Sequence, residues 1–277
     1  MRATSGEPAT ATVNVRPTRP RLGWFGPAVT AGLVAFTVVT IWDWNYGTGF
    51  SIREIFSVIG QKNPVIEAIG ETDFGQLVSP RSRKKFVETL RLAVLGTVSG
   101  SAVALPLALI STRIGAPNRA ARIAARTISN VVRALPDIVW AMLFVAAVGS
   151  GALPGLLALF LFTIAVVTKL TADTLDGIDT GPVEAAKASG ARHAQMLRAA
   201  QVPQILPAYA SYVLYAFELN LRSSAVLGIV GAGGIGERLE NFRQFQQWDR
   251  LWAIVVMFIV VVFVVDRLST LLRRKLG

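Results

Sequence analysis

The chain has 277 residues, 52% of them hydrophobic and only 16% charged, with a mean hydropathy of +0.50. Soluble domains carry about 25% charged residues, and several spans of about 20 apolar residues leave no room for a large water-soluble catalytic domain. The net charge of +11 is compatible with nucleic acid, an anionic membrane face or anionic cargo. Zero cysteines and the single histidine, His193, exclude a disulfide framework, a thiolate nucleophile and two-histidine metal motifs.

Residues 1–23, rich in Thr, Pro and Arg, read as a disordered basic tail. Residues 24–44 form the first span, with Trp24, Trp42 and Trp44 at interfacial positions. No A-x-A-like cleavage site follows it, which disfavours a signal peptide. Residues 45–85 form an external connection, where Phe50, Ile52, Ile55, Phe56 and Ile59 recur at near-helical spacing and predict a helix lying at the interface. The remaining spans fall within residues 86–270, and residues 271–277 form a second basic tail.

The second span is expected over 92–112, with Pro106 inside it. Residues 138–168 carry no charge and are too long for one crossing, so Gly149-Ser150-Gly151 and Pro154-Gly155 should turn the chain between spans at 131–149 and 154–172. The fifth and sixth spans are expected over 206–229 and 251–268. Basic residues at both ends, Arg2, Arg16, Arg19 and Arg21 before the first span and Arg273, Arg274 and Lys275 after the last, place both termini in the cytoplasm. An even number of spans, six, follows. The cluster Arg81, Arg83, Lys84 and Lys85 dissents, because this topology puts it outside. Arg113, Arg119, Arg122, Arg126 and Arg133 stud the loop after the second span and suit an inside face against anionic headgroups.

Between the fourth and fifth spans, residues 173–205 form a cytoplasmic loop. Pro182 suits a first helical turn, Gly190 permits a sharp turn, and a second short helix over 191–201 should end at Pro203. Lys169, Asp173, Asp176 and Asp179 read as the solvated helix end leading into it, and His193 as an exposed or partner-contacting side chain.

Glu184-Ala185-Ala186, then Gly190, then Pro203 thirteen residues on, resembles the EAA loop of bacterial ABC-importer permeases. Of that family's closing I-x-L-P pattern, only Pro203 is kept strictly. The stretch over 202–236, with its GIVGAGGIG ending, is similar to phosphonate-importer permeases, and that ending to methionine-importer permeases as well. The run 133–137, RALPD, and Ala147-Val148-Gly149 also resemble the phosphonate group.

The resemblance implies an all-α polytopic inner-membrane permease of six transmembrane helices, type I and methionine-permease-like in its core. It also implies a homodimer, two copies of a cytoplasmic ATP-binding subunit, an external solute-binding protein, and phosphonate or phosphate as cargo moved by alternating access. Glu184, Ala185, Ala186, Gly190 and Pro203 would then couple to the ATPase. ATP and Mg would belong to that partner, with no cofactor on this chain, which has no G-x-x-x-x-G-K-[ST] motif.

Two further groups of residues stand out. Gly231, Gly233 and Gly236 satisfy G-x-G-x-x-G, but a membrane-length apolar segment precedes them where a dinucleotide site needs a short strand. With Gly234 they read as non-helical backbone at the outer mouth, an external gate or a dock for a delivery protein. Glu218 and Arg222 lie inside the fifth span, where a charge costs about 2.5 to 3.5 kcal/mol. Either they pair with each other at i, i+4, or Arg222, with Glu218, Asn220, Ser223 and Ser224, lines a path for an anion. Glu88 and Arg91 repeat the pairing at i, i+3 near the outer end of the second span, with snorkelling to the interface the simpler account. The competing function is an ion-gradient-driven secondary transporter of a small anion, with Glu218 as its ion site. An intramembrane enzyme lacks the paired histidines or clustered carboxylates it would need, and no nucleic acid is expected as partner.

Overall fold

The structure is a computed structural model that describes residues 24–42 and 63–276. The basic tail and the interfacial helix expected over 50–59 lie outside the described residues. The chain divides after Lys62 into two units. In the first, the described element is α1 (Phe25–Trp42), whose apolar part, Gly26–Val39, is shorter than a bilayer crossing requires.

The second unit runs through α2 (Pro64–Glu67), α3 (Gly75–Val78), α4 (Pro80–Ser111), α5 (Arg119–Ala134), α6 (Asp137–Val148) and α7 (Ala152–Leu175). It continues through α8 (Gly181–Ala188), α9 (His193–Met196), a π-helical turn (Leu197–Gln201), α10 (Val202–Ile229), α11 (Ile235–Gln244) and α12 (Trp248–Leu276). Among the described residues there is no strand. By length and composition, α4, α7 and α12 are able to cross a membrane, and α5 with α6 count as a fourth if taken as one broken span.

The second span begins earlier than its apolar run suggests. Ser79 is extended and its hydroxyl accepts from Ser82 N–H at 3.3 Å, while Pro80 occupies the first turn, where its missing N–H costs nothing. The helix therefore starts at Pro80 and carries Arg81, Arg83, Lys84 and Lys85. Lower down, Gly96, Gly100, Ala104 and Ala108 recur every fourth residue and are buried, giving α4 a flat stripe against α7. A Cβ at Gly96 would lie 2.8 Å from Leu159 Cβ, and one at Gly100 would lie 2.6 Å from Thr163 Cβ, so the backbones approach where only glycine fits.

The expected span over 131–149 is broken. Leu135, forced extended by the proline after it, ends α5, and α6 leaves at 87°. Most of the arginine-studded segment is therefore the helix α5. Arg126 in it is engaged, donating from Nε to the Ser111 carbonyl at 2.6 Å and pairing with Asp176 at 2.7 Å. The turn expected at Gly149-Ser150-Gly151 is present, with positive φ at both glycines, between the end of α6 and the start of α7. The core on this side joins Leu92, Ala141, Ala158, Leu159, Leu227 and Ala232, binding α4, α6, α7 and α10. Phe86, Ala225, Ile235, Phe242 and Ile254 fasten α11 and α12 to it.

Candidate functional site

The loop between α7 and α10 is a compact hairpin. In α8, Val183 is buried and Ala186 half-buried, packed with Met196, Ala200, Ile114 and Leu197, whereas Glu184, Ala185, Lys187 and Ala188 are exposed. Gly190 has φ +77° with open space where a Cβ would stand, so conformation alone demands glycine there. His193 is exposed, and its Nε2 lies 3.0 Å from the Gly115 carbonyl, tying the hairpin to the α4–α5 connection. The second helix does not stop at Pro203. It passes through the π-helical turn straight into α10, where Pro203 sits in the first turn and blocks nothing. The hairpin is thus continuous with the long helix that follows.

The charges of α10 do not pair with each other. Glu218, buried, pairs with Arg273, and Arg222 pairs with Asp266 at 3.5 Å, both partners lying on α12. Arg222 and Asp266 each keep over two-fifths of the side chain exposed, at the edge of a cleft of about 400 Å³ otherwise lined by Phe258, Ile259, Val262 and Phe263. Asn220 points elsewhere. It is fully buried and donates from Nδ2 to Thr97 and Thr163 hydroxyls, each at 2.7 Å, joining α10 to α4 and α7. Ser224 is buried with its hydroxyl on the Leu221 carbonyl, and Ser223 is half-buried. The five α10 residues predicted to line one path thus divide between an α12-facing pair of charges and an interior polar tie.

The glycine stretch between α10 and α11 is buried against two other elements. Gly231, Gly233 and Gly234 all have positive φ, and Gly236 lies so close to the Ala225 carbonyl that a side chain has no room. Gly151 N–H donates to the Gly231 carbonyl at 2.8 Å, which joins this stretch to the α6–α7 turn. On the other side, Glu88 accepts from Gly234 N–H at 3.0 Å and Thr89 accepts from Ile235 N–H at 2.7 Å. Glu88 also pairs with Lys85 at 3.1 Å, and Lys85 with Glu237 at 2.7 Å. Glu88 therefore does not pair with Arg91. Its carboxylate holds the start of α11, and Arg91 is exposed beside a cleft of about 660 Å³ that Arg83 and Lys84 also line.

Sequence reasoning missed Thr97, Thr163, Asp266 and Arg273 as partners. The one signal for them was the presence of charged and amide side chains inside apolar runs, each of which needs a partner. The antiparallel register that supplies the partner belongs to the packed structure.

Long apolar helices, broken turns buried in protein and ion pairs between helices define a polytopic membrane protein with a loop hairpin at one end of its helix bundle. Residues 104–277 match the family described as the binding-protein-dependent transport system inner membrane component, and the chain belongs to it. It is a transport component, the permease part of such a system. The phosphite transport system permease protein PtxC of Stutzerimonas stutzeri is 38% identical over 191 residues, 69% of this chain and 70% of that protein. The phosphate-import permease protein PhnE of Mycolicibacterium smegmatis is 40% identical over 190 residues, and this chain spans only 36% of that protein's length. The fold is like that of the methionine ABC transporter MetNI in an inward-facing conformation, with TM-score 0.61 and 22% identity over 71% of this chain and 96% of that one.

Proposed function

We propose that this chain is the transmembrane permease subunit of an ATP-driven importer that moves phosphite, phosphate or phosphonate across the inner membrane. One observation carries the cargo: relatives named for phosphite and for phosphate transport are 38% and 40% identical to this chain over about the same 190 residues. Six spans, with both termini cytoplasmic, require α1 and α10 to cross as well. The 28 residues of α10 reach about 42 Å as a helix, longer than a hydrocarbon core.

In this reading two copies pair, two cytoplasmic ATP-binding subunits seat on the exposed face of α8, and an external solute-binding protein delivers the anion. ATP and Mg stay with the partner subunit. The division of α8 into a packed face at Val183 and an exposed face at Glu184, Ala185 and Ala188 supports it, because small exposed residues let a partner's surface approach the backbone. The unbroken run from α9 into α10 gives motion at the hairpin a stiff lever into the bundle. The buried glycine stretch, held by Glu88 and Thr89, is the external gate.

Arg222 is the anion's contact on the path. It sits with Asp266 inside two apolar helices, yet both remain half exposed on one chain, and charged groups at that depth are covered by protein or water. A second copy and a cargo path supply that cover. Arg222→Ala is expected to cut uptake with normal membrane insertion; unchanged uptake at matched expression removes Arg222 from the path. The decisive experiment measures ATP hydrolysis by the reconstituted complex with its binding protein across phosphate, phosphite and alkylphosphonates. Stimulation by at least one of them is expected, and stimulation by none refutes the cargo.

A further inference from the structure

The positive charge carried by α4 at its start has three destinations. Lys85 is consumed by Glu88 and Glu237, while Arg83 and Lys84 line the cleft beside Arg91. Arg81 turns to a different cleft, of about 650 Å³, that it shares with Arg238 of α11 and Arg250 of α12. Amide side chains of Gln76, Asn241 and Gln247 complete the polar lining.

The three guanidinium groups are poorly neutralised. Among the described residues, no carboxylate pairs with Arg81 or Arg238. Arg250 donates to the neutral Gln247 Oε1 at 3.2 Å and reaches Asp73 only at 3.8 Å, and that carboxylate already accepts from Gly75 N–H and Gln76 Nε2 at 3.0 Å each. The remaining acidic groups of α11 are committed elsewhere, Glu237 to Lys85 and Glu240 to Arg243. Arg238 itself lies over the Phe242 ring, 4.6 Å from its centroid, and is held by two long bonds from one terminal nitrogen, to Gln76 at 3.3 Å and Ser82 at 3.5 Å. Its buried Nε has no partner. Burial, then the nearby charges of Arg81 and Arg250, push its pKa below the ordinary arginine value. Three like charges line one cleft where a bridging anion would relieve them, and guanidinium groups are the side chains best suited to hold a phosphate-type oxyanion.

We infer that the cleft formed by Arg81, Arg238 and Arg250 binds a phosphate-type oxyanion, at a site separate from Arg222. The side of the membrane it faces rests on the six-span topology proposed above; the binding does not. A free anion and a phospholipid headgroup share this chemistry, and the lipid composition of the test separates them.

The test is equilibrium binding of radiolabelled inorganic phosphate to the full chain in phosphatidylcholine nanodiscs. It compares the natural sequence with the double variant R81Q/R250Q, at the exposed Arg81 and the half-buried Arg250, and with Arg238→Gln, which should weaken binding as well. Saturable binding that weakens at least ten-fold in R81Q/R250Q is expected, with an unchanged unfolding midpoint in the absence of anion. Arg81→Gln alone serves if the double variant unfolds early. Adding phosphatidylglycerol then identifies the occupant: competition with phosphate points to a headgroup, and undiminished binding to the free anion. Absence of saturable phosphate binding in phosphatidylcholine overturns the site. So does binding that survives R81Q/R250Q but disappears in Arg222→Ala, an outcome that leaves the transport path intact and locates the anion there.

Discussion

Glu218 is a carboxylate with 6% of its side chain exposed, on the face of α10 that also carries Arg222 toward α12, and Arg273 is its partner. Removing one member of a buried ion pair leaves the other desolvated and uncompensated, which is far more costly than never having had the pair. Arg273→Gln should therefore destabilise the chain by about 3 kcal/mol, the low end for a buried pair because Arg273 keeps 30% of its side chain exposed. Chemical denaturation of the solubilised protein checks this, and a shift below about 0.5 kcal/mol would contradict it. Gln201 presents the opposite case. It is fully buried in the π-helical turn, and neither amide atom has a partner. Gln201→Leu removes an unsatisfied polar group at similar volume, so a gain of about 1 to 3 kcal/mol is expected in the same measurement. A loss would mean that ordered water satisfies the amide. An unsatisfied buried side chain in a π turn is also where a helix is easiest to shift, which suits a junction between hairpin and bundle.

At the scale of elements, α8 with its glycine turn is where the transport reading is most exposed to refutation. The turn needs φ +77° at Gly190, and a β-branched residue there is strained whatever space surrounds it. Gly190→Val and Glu184→Lys should each abolish cargo-stimulated ATP hydrolysis in the assembled complex while the protein still inserts, and full stimulation in both would sink the coupling role. This hairpin was legible in the sequence because its signals are local: Pro182 for a start, Gly190 for a turn, exposed alanines between. The α6–α7 turn was legible for the same reason. Two misreadings came from local signals taken alone. Pro203 ends a helix in its interior but fits equally in the first turn of a new one, and the π-helical turn before it makes the two continuous. Leu135-Pro136, between Arg133 and Asp137, lay inside the span expected over 131–149, and the chain bends by 87° there. Pairing between distant elements was not legible. Glu88 on α4 and Gly234 before α11 are 146 residues apart, and their bond depends on a packing register that no periodicity encodes.

At the scale of the whole molecule, sidedness links the hairpin, the gate and the arginine cleft. The α8 hairpin lies at one end of α10, whereas the glycine stretch, α11 and the Arg238 cleft lie at the other. An ATP-driven importer needs these ends on opposite faces of the membrane, because the motor is inside and the delivery protein outside. The arginines of α5 and the basic residues that close α12 favour the inside face for the hairpin, whereas Arg81, Arg83 and Lys84 would stand on the other. The absence of cysteine makes the question directly measurable, since any introduced thiol is the only one in the chain. Lys187→Cys on the exposed face of α8 and Phe245→Cys at the exposed end of α11 place a probe at each end without disturbing the core. In intact spheroplasts that express this chain without the ATP-binding subunit, which would otherwise cover α8, a membrane-impermeant maleimide should label Phe245→Cys within minutes and Lys187→Cys only after the membrane is opened. Equal labelling of both before opening would overturn the topology, and with it the assignment of the glycine stretch as an outer gate, while leaving the pairing of Glu218 with Arg273 and the anion chemistry of the arginine cleft untouched.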